Sequence, residues 1–221
     1  MKKDNLISLS VVLFTSLIIY LITRNFFLTF AAKYDLAGGF IKFFILATIG
    51  DFVGTRLREK QWKIPKNILL KAVVWGLIGI VIVLTFGIYY NGVIYLQKNN
   101  ILPFYESTLA LAFFTSLLMN ISFAPTMMTF HRMTDTYLNL KYDKKKITFL
   151  GTINEIDWNQ FIRVVIFRTI PFFWIPAHTI TFILPTEYRI IFAAVLGIFL
   201  GLLLGLFGTK KEVEHVEEEV N

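Results

Sequence analysis

Apolar residues run along this chain in six long stretches, Leu6–Ile22, Leu36–Val53, Ala72–Leu96, Thr108–Phe130, Phe161–Leu184 and Arg189–Phe207. Each comes near the roughly 20 residues that cross a bilayer as an α-helix. The stretches are continuous rather than alternating apolar with polar, which argues against a β-barrel. In lipid every backbone polar group must find its partner inside the element, and a helix does that alone. The pattern predicts an all-α polytopic integral membrane bundle of about six spans over residues 1–209, with a charged tail at residues 210–221.

Composition agrees with the pattern. Of 221 residues, 56% are hydrophobic and only 17% charged, against about a quarter charged in an ordinary soluble domain. The 16% aromatic content, 23 Phe among it, excludes a disordered chain. With no Cys there is no disulfide framework, thiolate metal site or catalytic thiol. The formal charge of +7 would suit phosphate binding. However, the basic residues sit in short segments between apolar runs, so no nucleic-acid partner is expected.

Those basic segments give the topology. If all six spans form, the N-terminus, residues 56–71, residues 132–146 and Lys210–Lys211 share one side and carry 15 of the 22 Lys and Arg. The opposite side has Arg24, Lys33, Lys98 and Arg189. This asymmetry is the positive-inside pattern, and it places both termini in the cytoplasm. Met1-Lys2-Lys3 before an apolar run also resembles a signal peptide. No clear small-x-small cleavage site follows, so the first run is expected to stay.

The informative residues are polar groups within the spans, because their burial is costly without a partner, water or function. Alternating direction sorts them by depth. Asp51 falls near the cytoplasmic end of its run, at the depth of Arg163 and Arg168, which predicts an ion pair between Asp51 and one of the two arginines. Such a pair is either a packing clamp or part of an ion pathway. Lys42, Tyr90, Asn91, Asn120, His178 and Thr181 gather toward the other face. They are expected to line a vestibule for a polar or anionic solute; the competing reading is a set of separately satisfied side chains.

Backbone features add to this. Pro171, Pro176 and Pro185 interrupt the fifth run, and broken helices recur at transporter binding sites as well as in plain kinked packing. Ala193, Gly197, Gly201 and Gly205 repeat at four-residue spacing, a small-residue face that suits close helix packing, within the chain or between copies. No HExxH, phosphate loop or Walker pattern occurs. The expectation is of no catalytic residues, metal or cofactor, and of no enzyme activity.

Several of these pieces resemble one family. Gly50-Asp51, Phe123-Ala124-Pro125 and the block Trp174-x-Pro176-Ala177-His178-x-x-Thr181-Phe182-x-x-Pro185-x-x-Tyr188-Arg189 are similar to the Mpv-seventeen/peroxisomal-membrane-protein family, small membrane proteins with prokaryotic relatives. The likeness spans about Lys33 to Phe207. Met119-Asn120 stands where the family usually has Asp-Gln, and His178 and Thr181 stand where Gln and Asn are usual. Relatives are usually drawn with four spans. The resemblance implies a pore- or carrier-like role toward small metabolites. Together these readings predict a prokaryotic plasma-membrane channel or transporter for small polar or anionic metabolites. The alternative is a structural or assembly protein acting through helix–helix contacts.

Overall fold

In a computed structural model of the protein, the described residues are 34–143 and 146–207, with Leu17 and Tyr20. They form helices and connecting turns, with no strand among them. The helices are α1 (Asp35–Glu59), α2 (Ile68–Lys98), α3 (Thr108–Tyr142), α4 (Trp158–Ile183) and α5 (Thr186–Phe207), with a short 3-10 turn at Leu150–Glu155. The first four contain the segments long and apolar enough to cross a membrane: Asp35–Arg56, Ile68–Lys98, Thr108–Tyr142 and Trp158–Ile183. We read the chain as an integral membrane protein on that basis. The sixth expected run is helical as part of α5. The first, Leu6–Ile22, and the tail at 210–221 lie outside the described residues apart from Leu17 and Tyr20.

Local signals set the helix ends. Lys60 and Asn67 adopt left-handed backbone (φ 54 for each) and bound the link between α1 and α2. Ser107 caps α3 by accepting from Ala110 N–H at 3.2 Å, and Asp157 caps α4 by accepting from Gln160 N–H at 2.9 Å. Each satisfies one of the orphan N–H groups that a helix start leaves. We call the end of the bundle that holds residues 56–71 and 132–158 the basic end.

α1 packs along α2 and α5, while α3 packs against α2 and the last turns of α4. The core between them is apolar, with Phe43, Leu46, Ile78, Phe86, Met119, Phe182 and Ile191 all buried. The tightest crossing is at Gly39 and Gly79. A Cβ added to Gly39 would lie 2.5 Å from Val83 Cγ2 and 2.9 Å from the Gly79 carbonyl oxygen; one on Gly79 would lie 2.5 Å from the Gly39 oxygen. Backbone cannot retreat as a flexible side-chain tip can, so Gly39→Ala is expected to cost about 1–3 kcal/mol. Equilibrium unfolding in mixed micelles measures it, and an unchanged midpoint would contradict the crossing.

The small-residue face of α5 is divided. Ala193 is buried in the core, whereas Gly197 is exposed, with no described residue within 4 Å of where a Cβ would stand. Gly201 and Gly205 lie beyond the residues whose surroundings are described. Close packing of this face therefore holds at Ala193, and no described residue packs against Gly197.

α4 departs most from expectation. After one α-turn at Trp158–Phe161, residues Ile162–Trp174 form a π-helix, and α-geometry resumes at Ile175–Ile183. A π-helix bonds i to i+5, and the side chain of Thr169 follows the same spacing, its Oγ1 donating to the Val164 carbonyl at 2.9 Å. Pro171 lies within the widened stretch and Pro176 in the first turn of the resumed α-helix. The missing donors thus fall in and beside the irregular segment, where the regular i to i−4 ladder is already broken.

Candidate functional site

Two places concentrate polar groups, a buried layer in the bundle and a cavity at the basic end. The layer begins on α3, where Ser116 and Asn120 occupy one face a turn apart, both fully buried. The Asn120 amide faces Nδ1 of His178 on α4, with its Nδ2 at 3.1 Å and its Oδ1 at 3.3 Å. Nδ2 also donates to the Ser116 carbonyl at 2.9 Å. Ser116 Oγ donates across to the Ile175 carbonyl at 2.7 Å, and Thr181 Oγ1 donates to the Ala177 carbonyl at 2.9 Å. The His178 ring stacks on Trp174 at 5.1 Å and meets the edge of Phe86 at 5.8 Å.

This layer is packed rather than open, although the buried indole Nε1 of Trp174 within it has no hydrogen-bond partner among the described residues. Asn120 and His178 do come together, and Thr181 is buried nearby on the same helix as His178. Two of the other three expected lining residues, Tyr90 and Asn91, point elsewhere. Lys42 is buried on α1 at 5% exposure. Asn91 is exposed, its amide donating back to the Gly87 carbonyl at 2.8 Å. Tyr90 lies beneath Arg189, whose guanidinium is 4.2 Å from its ring centroid. Depth follows from the sequence, but the direction in which a residue faces around its helix does not.

Arg189 closes the far end of the bundle. Its Nε donates to the Leu184 carbonyl at 3.0 Å and its Nη2 to the Phe182 carbonyl at 3.1 Å. These are carbonyls at the C-terminus of α4, left without helical partners, where a cation also suits the helix dipole. Nearby, the buried Gln97 donates to the Pro103 and Phe104 carbonyls at 3.0 and 3.2 Å and pins the α2–α3 link.

At the basic end a cavity of about 490 Å³ is lined by Asp51, Thr55, Lys63, Lys66, Lys71 and Asn139, among others. Its rim is tied by ion pairs between Lys66 and Asp143 and between Lys71 and Asp135, each 2.7 Å. The Asn67 amide donates to the Leu138 carbonyl across the same seam. Just inside it, the rings of His131 and Trp75 meet edge-on at 4.2 Å. The pairing expected between Asp51 and Arg163 or Arg168 does not form. Asp51 faces this cavity between α1, α2 and α3, whereas both arginines are exposed on α4 and make no ion pair among the described residues.

Among the described residues no group of three His, Asp or Glu is placed to hold a metal. Sequence reasoning overlooks Ser116, Gln97, the Lys71–Asp135 pair and the role of Arg189. Ser116 carries a signal, being one turn from Asn120; Gln97 and Arg189 bond to turns five to seven residues away, whereas Lys71–Asp135 and Arg189–Tyr90 join distant segments. No family model, curated protein or solved structure matches the chain.

Proposed function

We propose that this protein is a gated carrier or channel for small polar or anionic solutes, in a closed conformation, and that it is not an enzyme. The observation that carries the reading is the sequence of obstacles along the bundle. A lysine-rich cavity lies at the basic end, the packed Asn120–His178 layer lies beyond it, and Arg189 caps the end of α4 at the far end. A permanently open pore does not fit the buried layer. Alternating access does, because it requires one end open while the other is shut, and a discontinuous helix such as α4 at the site. The likeness of the Trp174–Arg189 block to the Mpv/peroxisomal family supports the same reading. A prokaryotic plasma membrane, with both termini cytoplasmic, is the proposed setting.

The test is uptake of chloride, phosphate and small carboxylates into liposomes, with conductance in planar bilayers. The wild type should give slow, saturable uptake. His178→Ala removes a contact across the closed layer. Interhelical hydrogen bonds in membranes are worth about 1 kcal/mol, so the variant should raise flux about fivefold. Asp51→Asn removes a carboxylate from the cavity and should shift selectivity toward anions.

A second reading, a structural or assembly protein, is favoured by the same packed layer and by the exposure of Gly197 among the described residues. Silence from folded, oriented wild type, His178→Ala and Asp51→Asn across all these solutes would sink the transport reading and leave that one.

A further inference from the structure

The π-segment of α4 changes which residues share a face. In an α-helix, residues five apart diverge by about 140°; where bonds run from i to i+5, they become neighbours. Ile162, Arg163, Phe167, Arg168 and Phe172 are all exposed, at a strict five-residue repeat, while Phe161, Ile170 and Trp174 turn inward. Phe172 is 81% exposed. The outcome is one outward stripe in which two arginines lie one π-turn apart between apolar side chains.

Depth indicates what this stripe meets. Counting back from Ile183 the roughly 20 residues that span the hydrocarbon as α-helix, and a few more because the π-segment Ile162–Trp174 rises less per residue, puts its boundary at the basic end near Ile162. Arg163 then lies at the headgroup level, and Arg168 about one turn inside, within reach of the headgroups along its own stem. Among the described residues neither arginine has a protein partner. A charge left this way in hydrocarbon is costly. A second copy meeting this stripe across a two-fold axis would set arginine against arginine, which disfavours self-association here.

We propose that the π-segment builds a binding site for one anionic phospholipid, with Arg163 and Arg168 gripping its phosphate and Ile162, Phe167 and Phe172 lying along its acyl chains. Two guanidinium groups match a phosphate's oxygens as a fork. A headgroup with a net negative charge leaves them better neutralised than a zwitterionic one does. The function of the π-geometry is the alignment itself, because α-geometry would send the two arginines to different faces. The site stands whether or not the protein transports anything.

The experiment uses the full chain in phosphatidylcholine nanodiscs holding a minority of phosphatidylglycerol, with the lipid retained on release measured by native mass spectrometry. Each basic side chain near an anionic headgroup contributes about 1 kcal/mol. The preference for phosphatidylglycerol should therefore fall about thirtyfold in R163Q/R168Q and about fivefold in either single variant. Lys141→Gln, an exposed lysine at the same end, should leave it within about twofold. Equal loss in Lys141→Gln would mean diffuse surface attraction and overturn the site. Unchanged lipid with an altered oligomeric state in R163Q/R168Q would assign the stripe to a protein partner and overturn it too. If the double variant does not fold, the wild type decides. Carbon–phosphorus dipolar recoupling from labelled arginine should show close approach to lipid phosphate, and its absence ends the proposal.

Discussion

Phe182→Ala should destabilise this protein by about 3–5 kcal/mol, the upper range for truncating a buried aromatic side chain. Phe182 is only 2% exposed and sits where three helices meet. Its ring is 4.8 Å from that of Phe86 on α2, stacks at 6.2 Å on Tyr90, and lies 5.7 Å below the Arg189 guanidinium on α5. Truncation removes those contacts together and leaves a cavity bounded by helices that are crossed too tightly elsewhere to collapse. The hydrophobic effect does not drive helices together in lipid, so the loss is one of packing. Phe182→Leu, which refills most of the volume, should recover more than half of it. Equilibrium unfolding in mixed micelles reads both. A Phe182→Ala loss below about 1 kcal/mol would place the ring outside the core.

The transverse order of the bundle is legible in the sequence, and its azimuthal order is not. Apolar run length gives helices because lipid leaves the backbone no other partner. The alternation of spans then gives depth. Thus Asn120, placed somewhat deeper by the pattern, still meets His178 across α3 and α4. Depth alone puts Asp51 opposite Arg163 and Arg168, and fails, because α1 turns Asp51 toward α2 and α3 while α4 turns its arginines outward. In a chain apolar on every side, periodicity is weak, and no stripe announces the inward face. The vestibule fails for the same reason: Tyr90 and Asn91 are adjacent in sequence, and one shields Arg189 while the other faces out.

Close approach is hidden in a different way. The four-residue repeat Ala193–Gly205 has the pattern of a tight contact, yet among the glycines whose surroundings are described the closest backbone approach is at Gly39 and Gly79. Gly39 and Gly79 lie forty positions apart, and neither Gly38-Gly39 nor Gly76-x-x-Gly79 says locally which segment it will meet. The π-segment does leave a local trace. Ile162, Phe167 and Phe172, with Arg163 and Arg168 beside them, repeat every five residues, a period that neither an α-helix nor a strand template detects.

Arg189→Leu should cost about 2–4 kcal/mol, and Arg189→Lys should restore little of it. Arg189 makes two hydrogen bonds to carbonyls at the end of α4 and rests on the Tyr90 face at 4.2 Å. A charge-assisted bond is worth about 1.5–3 kcal/mol, and the aromatic contact adds about 0.5–1 kcal/mol where water still reaches it. Because Arg189 is only half-buried, water will take up part of what the leucine variant abandons, which holds the total below the sum. Lysine keeps the charge but is a point donor on a flexible stem, and it cannot satisfy two carbonyls and lie flat on a ring at once. The chain turns through only Leu184 and Pro185 between α4 and α5, so this one side chain fixes the angle of the last hairpin. If the far end is the closed gate of a transport cycle, Arg189→Leu should also leak solute in liposomes while Arg189→Ala/Tyr90→Phe leaks no more than the loss of the arginine alone. Stability equal to wild type in Arg189→Lys would show that charge alone closes this end, and the fork geometry would be irrelevant.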